Sequence, residues 1–111
     1  MVVVLGAGWL VYREVGPGAP PPVAIERVWP SGDGLVLDVT YMVGVRPCSW
    51  PAGVTVEETA TEVRLTARMG HGDGTCTSQA IPHTERVALA APLGTRTVVD
   101  ETTGREVPVR Q

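Results

Sequence analysis

Between residues 61 and 69 the chain alternates strictly: Val63, Leu65, Ala67 and Met69 are apolar, and Glu62, Arg64, Thr66 and Arg68 beside them are polar. A period of two with one apolar and one charged face predicts an antiparallel strand with one wet side. The same period runs from 35 to 45, with Leu35, Leu37, Val39, Tyr41 and Val43 on one face. Val36, Asp38, Thr40 and Met42 form the other face, which is therefore half covered. A first strand over 23–29 ends at the turn signal Pro30-Ser-Gly-Asp-Gly34. A short strand over 54–58 turns Val54 and Val56 inward, after a loop over 46–53. A Gly-rich loop over 70–76 follows, then a strand over 84–91 with Val87, Leu89 and Ala91 inward. Pro92-Leu-Gly94 breaks it, and 95–100 with 105–109 read as a last hairpin turning at Gly104. No segment sustains a helical period, and β-branched residues disfavour a helix over 57–65. The pattern predicts an all-β fold, a small antiparallel β-sandwich or partly open barrel.

The N-terminal stretch over 2–12 (VVVLGAGWLVY) is apolar but shorter than the roughly 20 residues that span a bilayer. It has no basic leader and no small-residue cleavage site. Residues 1–15 therefore read as a truncated membrane-anchor remnant, its start upstream of Met1, or as an edge strand. Residues 16–22 (GPGAPPP) form a Pro/Gly-rich linker of extended type, and 23–111 form the β-domain. Gly6-Ala-Gly8 after a valine run imitates a dinucleotide fingerprint. Val11 stands where its third glycine belongs, and prolines follow where its helix should be.

At 111 residues there is room for one domain. The net charge of -3, with nine arginines scattered singly, gives no footprint for nucleic acid. Lysine, asparagine and phenylalanine are absent, a bias expected of a GC-rich genome, and without asparagine there is no N-glycosylation acceptor.

Cys48 and Cys76 lie in polar, Gly/Pro-rich stretches rather than apolar strands, which predicts a loop-to-loop disulfide and an exported protein. Such a bridge stabilises by roughly 3–4 kcal/mol on the chain-entropy account. Glu57 and Glu58 point to opposite faces of a strand and cannot act as an acid/base pair. Glu58 is in phase with Val54 and Val56, so it turns inward and needs a cation; Arg64 is the expected partner in a buried ion pair, with Arg86 and Arg96 as the other candidates. His71, Asp73 and His83 could supply three metal ligands, but no fourth stands out, and a solvated glycine turn explains the first two equally. That loop also has too few oxygen ligands for calcium. Ser31, Ser49 and Ser78 lack a nucleophile elbow. Trp29 and Trp50 each precede a proline and read as loop or core anchors before they read as a sugar- or peptide-binding platform.

The order of a Cys loop, Val54-Thr-Val-Glu-Glu-Thr59, an alternating strand, a Gly-rich loop with Cys76, and Pro92-Leu-Gly-x-Arg-x-Val-x-Asp-x-x-Thr-Gly104 resembles small extracytoplasmic domains of unknown function from high-GC Gram-positive bacteria. Many of these are lipoproteins or membrane-anchored. The resemblance covers residues 35–109 and implies an exported β-domain, with no catalytic residues to carry over. The expected function is a non-catalytic extracytoplasmic interaction or accessory module of the cell envelope. Its partner would be an envelope protein or cell-wall component, and neither cofactor nor metal is expected. The alternative is a small hydrolase or metal-binding domain using His71, Asp73 and His83.

Overall fold

The computed structural model describes the backbone of residues 2–5 and 8–11, and residues 20–72 and 79–110 in full. All regular structure among these residues is β, and no helix among them is long and apolar enough to cross a membrane. The strands are β1 (Val2–Leu5), β2 (Gly8–Val11), β3 (Pro22–Val23), β4 (Ile25–Pro30), β5 (Val36–Val43), β6 (Ser49–Glu58), β7 (Glu62–His71), β8 (Ile81–Ala88), β9 (Thr97–Asp100) and β10 (Arg105–Glu106).

The alternating segment forms β7 as its period demands. Val63, Leu65 and Ala67 are fully buried, while Arg64 keeps 38% of its side chain exposed. β7 pairs antiparallel with β6 along one edge. Its other edge is shared: β9 runs parallel to its first half, and β3 runs antiparallel to its second. Arg68 strengthens the β3 contact by donating from Nη1 to the Pro20 carbonyl at 2.7 Å. With β1, β2 and β10 these strands make a seven-stranded sheet curled into a half-barrel. The segment read as anchor remnant or edge strand holds the β1–β2 hairpin, which meets β6 through the pair Val11 and Glu58. Within the segment read as linker, residues 16–19 lie outside the described residues.

The second sheet has the order β4-β5-β8, all antiparallel. Leu37, Val39, Tyr41 and Val43 of β5 face the core with Val28 and Val87. Leu35, expected in the same row, lies before the strand begins and is exposed. There its N–H donates to Asp33 Oδ1 in the turn, which takes it out of the pleat. Ala91 likewise falls beyond the end of β8; the buried row stops at Leu89, and the Ala91 carbonyl is turned to Arg96 instead.

The two sheets join along one side through the C-terminal segment. The Val107 N–H donates to the Val98 carbonyl, and a parallel bridge then ties Val109 to Val28. On the opposite side β6 and β8 approach without a shared ladder, leaving a seam. The expected loop over 46–53 is a turn at 46–48 followed directly by β6, with a bulge between Pro51 and Val54. A strand tolerates proline there because a bulge already interrupts its ladder.

Candidate functional site

Two carboxylates, one buried and one half-buried, clasp the seam. Glu58 is 1% exposed and, as its phase required, points inward from β6. Its Oε2 accepts the Ala90 N–H at 2.8 Å, just past β8. Its Oε1 lies 3.2 Å from Arg96 Nη1, a guanidinium only 8% exposed. Arg64, the expected partner, stands opposite Glu57 on the other face and pairs with Glu62 and Glu101. A strand pair puts directly opposed residues on the same face, so the side of β7 that carries Arg64 cannot reach Glu58. Glu85, on β8, repeats the device in reverse: its Oε2 accepts the Val54 N–H at 3.0 Å.

The segment from Pro92 to Gly104 is taken up by the framework. Arg96 donates to the carbonyls of Thr59, Ala91, Pro92 and Leu93 as well as to Glu58. Leu93 and Val98 are core residues. Gly94 and Gly104 adopt the positive φ of 58° and 72° that side chains disfavour. Asp100, buried, accepts the N–H groups of Ile25 and Thr102, each at 3.0 Å. The motif explains how the sheets meet.

At the Cys48 end of the seam the structure gathers a different set of residues. Tyr41 is fully buried on β5, directly opposite His83 on β8, and the two rings meet edge to face at 5.4 Å. The Tyr41 hydroxyl donates to Glu85 Oε1 at 3.2 Å, and His83 Nε2 lies 3.6 Å from the same oxygen. Burial first, and then the charge of Glu85, push the Tyr41 phenol up to about 12, so it stays a hydrogen-bond donor through the neutral range. Beside His83 opens a hollow of about 490 Å³ lined by Val43, Gly44, Arg46, Ser49, Pro51, Ile81, Pro82 and His83. Ser49, 6% exposed, accepts the Gly44 N–H on its hydroxyl at 3.1 Å. Its oxygen is thereby engaged in holding the turn, which is not how an activated nucleophile is held.

The residues singled out from sequence are scattered. His71 closes β7 and lines a neighbouring hollow of about 300 Å³ with Cys48, Met69 and Gln79, whereas His83 belongs to the larger one. Asp73, Cys76 and Ser78 lie outside the described residues. Among the described residues no three acidic, histidine or cysteine groups converge as metal ligands. Trp50 lies across Gly70, its partner in the ladder, so closely that any Cβ there would collide with the indole. This tryptophan anchors the loop. Trp29 carries the Arg27 guanidinium over its ring at 5.0 Å, which occupies one face of the proposed platform. Sequence reasoning missed Tyr41, Glu85 and Arg46. Glu85 had a visible signal, since it shares the inward phase of Val87 as Glu58 shares that of Val54.

Compared with known proteins, the chain matches no family model, no curated protein and no solved structure.

Proposed function

We propose that this chain is a non-catalytic interaction or accessory module of the cell envelope, held outside the cytoplasm and stapled by a Cys48–Cys76 disulfide. The observation that carries the reading is the commitment of the polar groups inside and along the seam. Glu58, Glu85, Asp100 and Ser49 each accept a backbone N–H from another strand or turn. A carboxylate whose oxygens are engaged by backbone amides is poorly placed to shuttle protons. What this end of the molecule offers outward is apolar surface, including Val45 and Ile81. Partner surfaces of this kind bury an apolar centre inside a polar rim.

The staple is supported by neighbouring geometry. The Gly72 N–H donates to the Cys48 carbonyl at 2.8 Å, and Ser49 pairs with His71. The chain thus passes Cys48 four residues before it reaches Cys76, and no described cysteine is free. An N-terminal anchor feeding the Pro-rich segment would present the domain at the membrane surface, facing an envelope protein or cell-wall component. The hydrolase or metal-binding alternative draws its support from the His83–Glu85 contact, which orients an imidazole as a general base is oriented.

Fractionation of the native host, with thiol alkylation before lysis, tests the reading. Protein in the envelope fraction with both cysteines protected is expected. A soluble cytoplasmic pool with two alkylated thiols would overturn it.

A further inference from the structure

The hollow beside His83 has walls and donors but no acid of its own. Pro51, Ile81, Pro82 and Val43 form its sides, and Ile81 is 41% exposed. The charged or titratable residues lining it are Arg46 and His83. Arg46 is exposed and makes no ion pair or hydrogen bond among the described residues, so its five N–H donors are unclaimed there. Ser49 is more than nine-tenths buried, and only its acceptor side is used, by the Gly44 N–H. Its hydroxyl proton has no acceptor among the described residues. A buried hydroxyl with an unspent donor calls for an acceptor atom at that point. The His83 ring is fixed behind them by Tyr41 and Glu85, so the hollow keeps its shape when empty.

We propose that this hollow binds a small carboxylate carried on an apolar body. The carboxylate meets the Arg46 fork and the Ser49 hydroxyl; the apolar body lies against Ile81, Pro51 and Pro82. The volume falls within the usual range for small-ligand sites, and an apolar pocket with a few convergent polar groups is their usual construction. Arginine is the side chain best matched to a carboxylate, through paired N–H donors. The proposal deepens the binding-module reading and rests on it. The same chemistry arises from a free short-chain acid or from the C-terminal carboxylate of a partner ending in an apolar residue.

The test is titration of the isotope-labelled protein, followed by backbone amide shifts. The probes are octanoate, acetyl-Ala-Leu with a free carboxylate, and the same dipeptide as its amide. Saturable shifts at Gly44, Ser49, Ile81 and His83 are expected with both acids and not with the amide. Arg46→Gln, at an exposed position, should leave the core resonances in place and weaken binding at least tenfold, roughly the effect of losing a charge-assisted pair. Arg46→Lys should recover part of that loss. Tighter binding of the dipeptide acid than of octanoate would mark a protein C-terminus as the source; the reverse would mark a free acid. Equal binding of acid and amide, unchanged affinity in Arg46→Gln, or no saturable shift with either acid would overturn the proposal. Hydrolysis of the amide or peptide during titration would instead overturn the non-catalytic reading, whatever the role of Arg46.

Discussion

Glu58 and Glu85 reach across the same seam in opposite directions. One leaves β6 to take the Ala90 N–H at 2.8 Å, and the other leaves β8 to take the Val54 N–H at 3.0 Å. Both contacts advance along the two strands together, so β6 and β8 run parallel there. Side-chain oxygens do what carbonyl oxygens of a neighbouring strand would otherwise do. An N–H left outside any ladder needs an acceptor, and these two find carboxylates.

The clasps should differ in weight. Glu58→Ala removes one partner of a buried ion pair and leaves the Arg96 guanidinium with carbonyl acceptors but without that counter-charge, so a loss of about 3–5 kcal/mol is expected. Glu85→Ala leaves the Val54 N–H and the Tyr41 hydroxyl without their acceptor, at about 1–3 kcal/mol. Urea melts of both variants decide this. A Glu58→Ala effect below that of Glu85→Ala would mean that the Arg96 contact contributes little.

On β7 the two faces should separate cleanly. Leu65→Ala opens a cavity in a fully buried site and should cost about 2–5 kcal/mol. Arg64→Ala loses surface pairing with Glu62 and Glu101 and should stay within about 1 kcal/mol. Denaturant midpoints that rank these two the other way would place the strand one residue out of register.

Intact mass with and without reductant reports on the staple. Native protein should resist alkylation at Cys48 and Cys76, and reduction should lower stability by roughly 3–4 kcal/mol. Two thiols alkylated in the folded, unreduced protein would refute the bridge.

Tyr41 makes stability depend on alkaline pH. Its folded pKa of about 12 lies above the unfolded value near 10, so the folded state holds the phenol proton more tightly. That contribution is complete below pH 10 and is lost as pH rises from about 10 to 12, a loss on the order of 2 kcal/mol. Tyr41→Phe should flatten this part of the profile. Denaturant stability measured across the window, with ultraviolet titration of the phenol, checks it; an unaltered slope in the variant would assign the loss to other groups.

Chelation should leave the fold untouched. Dialysis against a strong chelator is expected to give the same melting temperature. A fall of many degrees that zinc restores would bring His71, Asp73 and His83 back as ligands.

Much of the architecture is legible in the chain because alternation is a local signal. Val63, Leu65 and Ala67, or Leu37, Val39 and Tyr41, disclose their face without reference to any partner. Glu58 shows the limit of that signal. Its phase revealed that it turns inward, but the identity of its cation depended on how β6 meets the turn before Arg96, which no local pattern encodes. Residues 49–51 failed for another reason. Ser-Trp-Pro has the composition of a loop, and its strand geometry comes from Trp50 lying over Gly70 across the ladder. The donor-lined hollow was illegible for the same cause, since Arg46, Ser49 and His83 converge only when the sheets have closed.

The bridge between Val28 and Val109 bears on the order in which the molecule assembles. The β6–β7 hairpin pairs residues a short turn apart and closes with little loss of chain entropy, whereas Val28 and Val109 come from opposite ends of the domain. The half-barrel is therefore expected to nucleate first and the C-terminal segment to dock late. Until it does, Val28 and Val107 are open to water and the two sheets can part on that side. A protease acting during refolding should find the last residues of the chain accessible well after β6 and β7 are protected. Late docking makes this short segment the step that commits the two sheets to one another.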